Sequence, residues 1–180
     1  MEMGRCAREE EERQHKNMCV KKMISTALGM GLLLCASACG SPPQEPMEAI
    51  YMDEEQLGSY YSSYELSDLT QEITDGGISG VYEDLNGMVM LWNYEVPKET
   101  ALDIHYKMRV TSGRAKLIMV DPEGGITTIA EISGGVTADA LKAQSFSMHP
   151  GLYRLKLVGM DDADAEVEIE VEEGAFIGAK

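Results

Sequence analysis

Short apolar stretches of period two, separated by turns rich in glycine, proline and aspartate, predict an all-β chain: an antiparallel, jelly-roll-like β-sandwich of seven to eight strands. Three observations carry this expectation. Leu102, Ile104, Tyr106, Met108 and Val110 alternate with Asp103, His105, Lys107 and Arg109, the pattern of a half-buried antiparallel strand. Ala165, Val167, Ile169 and Val171 alternate in the same way with Glu166, Glu168, Glu170 and Glu172. Turn signals recur about every 8–12 residues after Gly77, and no amphipathic helix of ~10 residues separates consecutive strands, which argues against a parallel α/β sheet.

The remaining strands follow in order. Met88, Met90, Trp92, Tyr94 and Val96 share one face of a strand that stops at Pro97, and Val89 and Leu91 make its other face partly apolar. Ser112-Gly113 turns the chain out of the strand ending at Val110. Arg114–Val120 comes next and ends at Asp121-Pro122-Glu123-Gly124-Gly125. Ile126–Ile132 is closed by Gly134-Gly135, and a polar stretch leads to Ser145–Met148 and the His149-Pro150-Gly151 turn. Tyr153, Leu155 and Leu157 then alternate with Arg154 and Lys156. Upstream, Ser67–Ile73 reads as one or two helical turns with Ser67 as N-cap, broken by Asp75-Gly76-Gly77.

The N-terminal part reads as an export signal. Lys21-Lys22 precede an apolar run, Met23–Leu34, and the small residues Ala36-Ser37-Ala38 follow. A membrane-spanning helix needs roughly 20 apolar residues, and Gly40, Ser41, Pro42 and Pro43 interrupt this run too early. A cysteine directly after such small residues resembles the lipobox of bacterial lipoproteins. The resemblance implies that Cys39 becomes the mature N-terminus, carries a diacylglyceryl thioether and anchors the chain to a membrane, facing outside. Ala36 stands where that family most often has leucine, and ordinary secretion after Ala38 is the alternative. Glu9–Glu12 form an acidic run unsuited to a signal peptide, so Met18 or Met23 is the expected start. The domain organisation expected is 1–38 signal peptide with an extension, 39–77 lipidated tether with a short helix, 78–174 sandwich and 175–180 tail.

Composition then excludes several functions. Cys6, Cys19 and Cys35 lie upstream of the cut, so the mature chain has no disulfide, no thiolate nucleophile and no cysteine-based metal site. The whole chain has 31 acidic and 15 basic residues. Residues 1–38 hold five acids and six bases, which leaves 26 against 9 and a net charge of −17. Such a surface repels nucleic acid and anionic headgroups, so neither is expected as a partner.

Strand, Asp-Pro-x-Gly-Gly, strand, a long connection and then Pro-Gly-Leu-Tyr-Arg-Leu-Lys-Leu is similar to the jelly-roll sandwiches of the bacterial pre-peptidase C-terminal type, over roughly residues 102–171. That resemblance implies adhesion or binding rather than catalysis. The chain also has a general likeness to small surface lipoproteins of Gram-positive gut bacteria.

Few residues offer chemistry. His105 and His149 are the only histidines after the cut, and no convergent Ser, Asp or metal-ligand pattern accompanies them. No enzyme activity and no resident cofactor are expected. Asp161, Asp162 and Asp164 offer the best candidate for calcium, because hard cations take several carboxylate oxygens at short spacing. The same acids equally suit a solvated hairpin turn. The Glu166/Glu168/Glu170/Glu172 row would meet a cationic ligand, or else simply mark a solvent face and protect an edge. Trp92 and the Tyr60, Tyr61 and Tyr64 group are the candidate ligand contacts, with Trp92 better suited to core packing. The expected function is that of a lipid-anchored surface binding module for a glycan, a peptide or a partner protein. The alternative is an accessory subunit of an envelope or transport complex docking through Tyr60–Tyr64.

Overall fold

A computed structural model describes residues 47–179, with the side chains of Glu48 and residues 136–140 left aside. Cys39 and the export segment lie outside the described residues. A 3-10 turn (Met47–Met52) and a one-turn helix α1 (Glu54–Leu57) come first. Eight antiparallel strands follow: β1 (Ser63–Glu65), β2 (Asp68–Thr74), β3 (Gly77–Val96), β4 (Thr100–Val120), β5 (Ile126–Ser133), β6 (Val136–Met148), β7 (Gly151–Glu170) and β8 (Ala175–Phe176). Asp53 caps α1, its Oδ1 accepting from the backbone N–H groups of Glu55 and Gln56 at 3.0 and 3.1 Å.

Strands β3, β4 and β7 have 20, 21 and 20 residues. At about 3.3 Å per residue a straight strand of that length would span some 66 Å, far more than one sandwich layer. They bend instead, all at the same level. The β3–β7 register shifts between Tyr82 and Gly87, and the β4–β7 register shifts between Val110 and Arg114. Asp84, Asp161 and Asp162 adopt φ of 54°, 59° and 52° at these bends. Gly113 (φ 63°) has no alternative there, since a Cβ would lie 2.6 Å from the carbonyl oxygens of Asp161 and Met160.

The bends split one sheet into two layers. In the first layer the halves of β3, β7 and β4 nearest Gly77, Glu170 and Thr100 are flanked by β2 and β6, in the order β2–β3–β7–β4–β6. In the second layer the other halves carry β1 and β8 on the β3 side and β5 on the β4 side. Counting each half as a strand gives five strands in the first layer and six in the second, two antiparallel sheets packed as a sandwich. The two layers close face to face: Tyr106 of the first donates its OH to the Ile129 carbonyl of β5 at 3.3 Å. Ile104, Met108 and Val167 of the first layer share one core with Leu91, Leu117, Leu155 and Leu157 of the second.

Several expectations are corrected. Ser67–Ile73 is not helical: Asp68–Thr74 is strand β2, its whole length paired with Gly77–Glu83 of β3. The sheet therefore starts before residue 78 and also takes in β8. Ser112-Gly113 and Asp161–Asp164 are not hairpin turns but bends within β4 and β7. Trp92 does not share a face with Met88 and Met90. A register shift between Met90 and Trp92 turns Trp92 into the core, while Val89 and Leu91, not the methionines, line that core.

Candidate functional site

Two faces of the sandwich carry concentrated polar groups. The outer face of the first layer is open. Its cross-strand register aligns Glu72 of β2 with Ser79 of β3, Ser79 with Glu168 of β7, and Glu168 with Lys107 of β4. The adjacent row runs Thr74, Gly77, Glu170 and His105. A groove of about 820 Å³ lies over these rows, bounded also by Asp103, Glu172, Glu173 and Tyr94. Gly76 and Gly77 supply no side chains, which leaves the groove bare beside Glu170, and a Cβ at Gly76 would meet nothing within 4 Å. Asp103 accepts a hydrogen bond from Ser145 of β6. The groove thus offers mainly acceptors, with the hydroxyls of Thr74 and Ser79 and the His105 imidazole among them.

The outer face of the second layer is covered. Residues 47–62 lie across it as a strap. Ile50, Tyr51 and Leu57, each at most 3% exposed, pack on Met88, Ile118, Val120 and Val158. Between these apolar contacts stand three cations. Lys116 donates to the Tyr51 carbonyl at 2.6 Å, and its Nζ lies 4.3 Å from the centre of the Tyr51 ring, whose OH donates to Glu131 at 2.9 Å. Arg154, 1% exposed, donates to the carbonyls of Gly58 and Ser59 at 2.8 and 2.7 Å and to that of Asp121 at 3.3 Å. Lys156, with no exposed surface, donates to the carbonyls of Leu57, Ser59 and Tyr61 at 2.9, 2.7 and 3.4 Å. Burial, and then the neighbouring Arg154 charge, push the Lys156 ammonium down to about 8. Burial also lowers Lys116 and Arg154, and it raises the Tyr51 phenol, assisted by the bond to Glu131.

The residues singled out from sequence are scattered between and beyond these faces. Trp92 is fully buried, and its Nε1 donates to the Glu173 carbonyl at 2.7 Å, so it presents no stacking surface. Tyr60 and Tyr61 are 64% and 55% exposed at the end of the strap, and the Tyr60 ring centre lies 4.0 Å from the Arg154 guanidinium. Tyr64 is half-buried in β1 and packs against the main core. Asp161, Asp162 and Asp164 do not converge. Asp161 pairs with Arg114 at 3.3 Å, Asp162 accepts from Asn86 at 2.6 Å, and Asp164 accepts from the backbone of Asp84 at 3.1 Å. Among the described residues no group of three or more His, Asp or Glu side chains is placed to hold a metal ion. His105 faces the groove, and His149 makes an exposed contact with Glu99 at 3.4 Å.

Lys116, Arg154 and Lys156 are not marked by the sequence as site residues. Alternation with Leu155 and Leu157 puts the β7 pair opposite the core, a position that normally means solvent. Only the strap, remote in sequence, makes it an interior.

The fold and its faces define an antiparallel β-sandwich with one open acidic groove and one strapped cationic face. No known family profile and no curated protein matches the chain. Solved structures with a similar strand arrangement include the C-terminal CBM6 of LamC, a marine laminarinase from Zobellia galactanivorans. It is 18% identical over 62% of this chain and 91% of that one, with a TM-score of 0.34. A carbohydrate binding module of family 29 aligns at 9% identity over 62% and 79%, with a TM-score of 0.31. Murine APRIL aligns at 10% over 61% and 96%, with a TM-score of 0.28. Scores this low transfer no function.

Proposed function

We propose that the protein is a lipid-anchored module of the cell surface, tethered through Cys39, that binds a hydroxyl-rich ligand such as a glycan without transforming it. The supporting observation is the open groove over the first layer. Carboxylates of Glu72, Asp103, Glu168 and Glu170 stand beside Thr74, Ser79 and His105, with Tyr94 at one wall. Acceptors spread over a shallow surface suit a ligand whose own edge is made of hydroxyl donors, with an aromatic wall for its apolar face.

Titration calorimetry of the mature chain against neutral oligosaccharides and against lysine-rich peptides tests the ligand class. Glycan binding persists at 0.5 M salt, whereas capture of a cationic peptide collapses with screening, at a Debye length of about 4 Å. Asp103→Ala with Glu170→Ala is expected to weaken glycan binding at least about tenfold, or ~1.4 kcal/mol. Unchanged affinity in that variant, or salt-sensitive binding of the peptide alone, refutes the glycan reading. For the anchor, Cys39→Ala is expected to release the protein into the medium, and continued membrane association refutes it.

A second reading rests on Tyr60 and Tyr61. Two exposed tyrosines consecutive in the chain, one held against Arg154, are residues of the kind interfaces use. In that reading the chain is an accessory subunit of an envelope or transport complex. Loss of complex formation in Tyr60→Ser with Tyr61→Ser, with groove binding intact, would favour it.

A further inference from the structure

Three cations stand together on the outer face of the second layer, in a chain of formal net charge −16. The register pairs Lys116 with Val158 and Ile118 with Lys156, so Lys156 sits between Arg154 and Lys116, roughly 7–8 Å from each at Cβ. None of the three reaches a carboxylate within ion-pair distance among the described residues. Glu54 and Glu131 act on Lys116 and Asp121 on Arg154 from further away, while the charge felt by Lys156 is that of Arg154, of like sign.

One atom concentrates this imbalance. The Ser59 carbonyl oxygen accepts from Arg154 and from Lys156, each at 2.7 Å. A neutral carbonyl, with only a partial charge, sits where two full cations converge. Arg154 Nε, beside it, is buried and is the one such side-chain nitrogen or oxygen without a partner among the described residues. Buried cations without a counter-ion are costly, and apolar residues of similar length would hold a strap equally well. Ile50, Tyr51 and Leu57 also seat the strap on apolar surface.

We propose that this face is a binding site for an oxyanion, a carboxylate or phosphate group on a small ligand, and that residues 58–61 form the lid above it. The Ser59 carbonyl marks the position of a ligand oxygen. On binding, Gly58–Tyr61 lifts while Ile50, Tyr51 and Leu57 stay seated, and the anion's oxygens replace the carbonyls of Gly58 and Ser59. An anion offers the guanidinium and the ammonium a counter-charge that the neutral carbonyls lack, with the fork geometry of a guanidinium–oxyanion pair. Tyr60, stacked on Arg154, leaves with the lid and is the part a ligand must displace. This site lies on the layer opposite the acidic groove, so each stands or falls independently.

The test uses the mature chain with inorganic phosphate and with glucuronate, each titrated to ~20 mM against sodium chloride of matched ionic strength. The expected result is a saturable rise in thermal midpoint of a few °C with one or both anions and none with chloride. Response to phosphate alone or to glucuronate alone identifies which oxyanion the site takes. Amide exchange at residues 58–61 is expected to quicken at least ~threefold on saturation, and exchange at Ile50 and Tyr51 to stay unchanged. Lys156→Met keeps the stem and removes the charge, and is expected to weaken the response at least ~tenfold; Lys156→Arg restores most of it. Tyr60→Ala, at an exposed position that leaves the cage intact, is expected to bind ~threefold tighter because the lid lifts more easily. The proposal is overturned if neither anion exceeds chloride, if Lys156→Met responds like the parent, or if exchange at 58–61 does not change on binding.

Discussion

Raising the pH from about 8 should relieve one cost carried by this fold, the burial of the Lys156 ammonium. Its ammonium titrates at about 8 under the strap, against an ordinary 10.5. A lowered cation pKa means that the unfolded chain binds more protons than the folded one between the two values. Stability therefore climbs as pH rises from about 8 towards 10.5 and is flat in this group below 8. The full difference corresponds to at most ~3.4 kcal/mol. Water at the rim of the strap, where Ser59 and Tyr61 are partly open, screens it to about 1–2 kcal/mol. Burial also raises the Tyr51 and Tyr82 phenols and lowers Lys116, so these groups change stability with pH as well and the measurement is differential. Urea unfolding of the parent and of Lys156→Met is followed at intervals from pH 7 to 10.5. The parent is expected to gain about 1–2 kcal/mol on the variant over that range. Parallel curves would refute the reasoning, because they would mean that Lys156 is hydrated as well in the fold as out of it.

Three further outcomes follow from the geometry. Gly113→Ala forces a side chain into a positive φ and against two carbonyl oxygens of β7, and should cost about 2–3 kcal/mol in chemical denaturation. Trp92→Phe loses buried volume and the 2.7 Å bond to the Glu173 carbonyl, and should cost ~2–4 kcal/mol with little change in the sheet's circular dichroism. Calcium or a chelator should leave the melting temperature unchanged, because Asp161, Asp162 and Asp164 each face a different protein partner; a shift of several degrees would restore the metal reading.

The strand pattern was legible wherever one face of a strand meets the core and the other meets water. Leu102–Val110 and Ala165–Val171 are of this kind, and both sit as their alternation predicts. The pattern failed where both faces are covered. Met88 to Trp92 is apolar at every position, so nothing in the residues fixes which face is inward, and a one-residue register shift reverses the answer. The bends were hidden for a different reason. Ser-Gly and Asp-Asp carry the same chemistry in a hairpin as in a bulge, and only pairing across three strands separates the two. Ser67–Ile73 resembled a capped helix because its apolar residues, Leu69 and Ile73, are four apart, a spacing both structures allow. Of the two polar faces, the glutamate row of the groove was visible as a row, while the cationic face needed a cover from a hundred residues away.

The strap is gripped through atoms that every residue type possesses. Lys116, Arg154 and Lys156 hold the carbonyls of Tyr51, Leu57, Gly58, Ser59 and Tyr61, and the side-chain contacts add only the Tyr51 and Tyr60 rings and the Ser59 hydroxyl. Fastening and side-chain identity are therefore uncoupled at Tyr61, which is held through its carbonyl. Substitutions at Tyr61 can re-dress the exposed surface while its carbonyl stays in the clasp, whereas Tyr60 also stacks on Arg154. The sandwich can thus vary its outward chemistry at one spot while the fastening stays constant, and a library randomised at Tyr61 should remain folded.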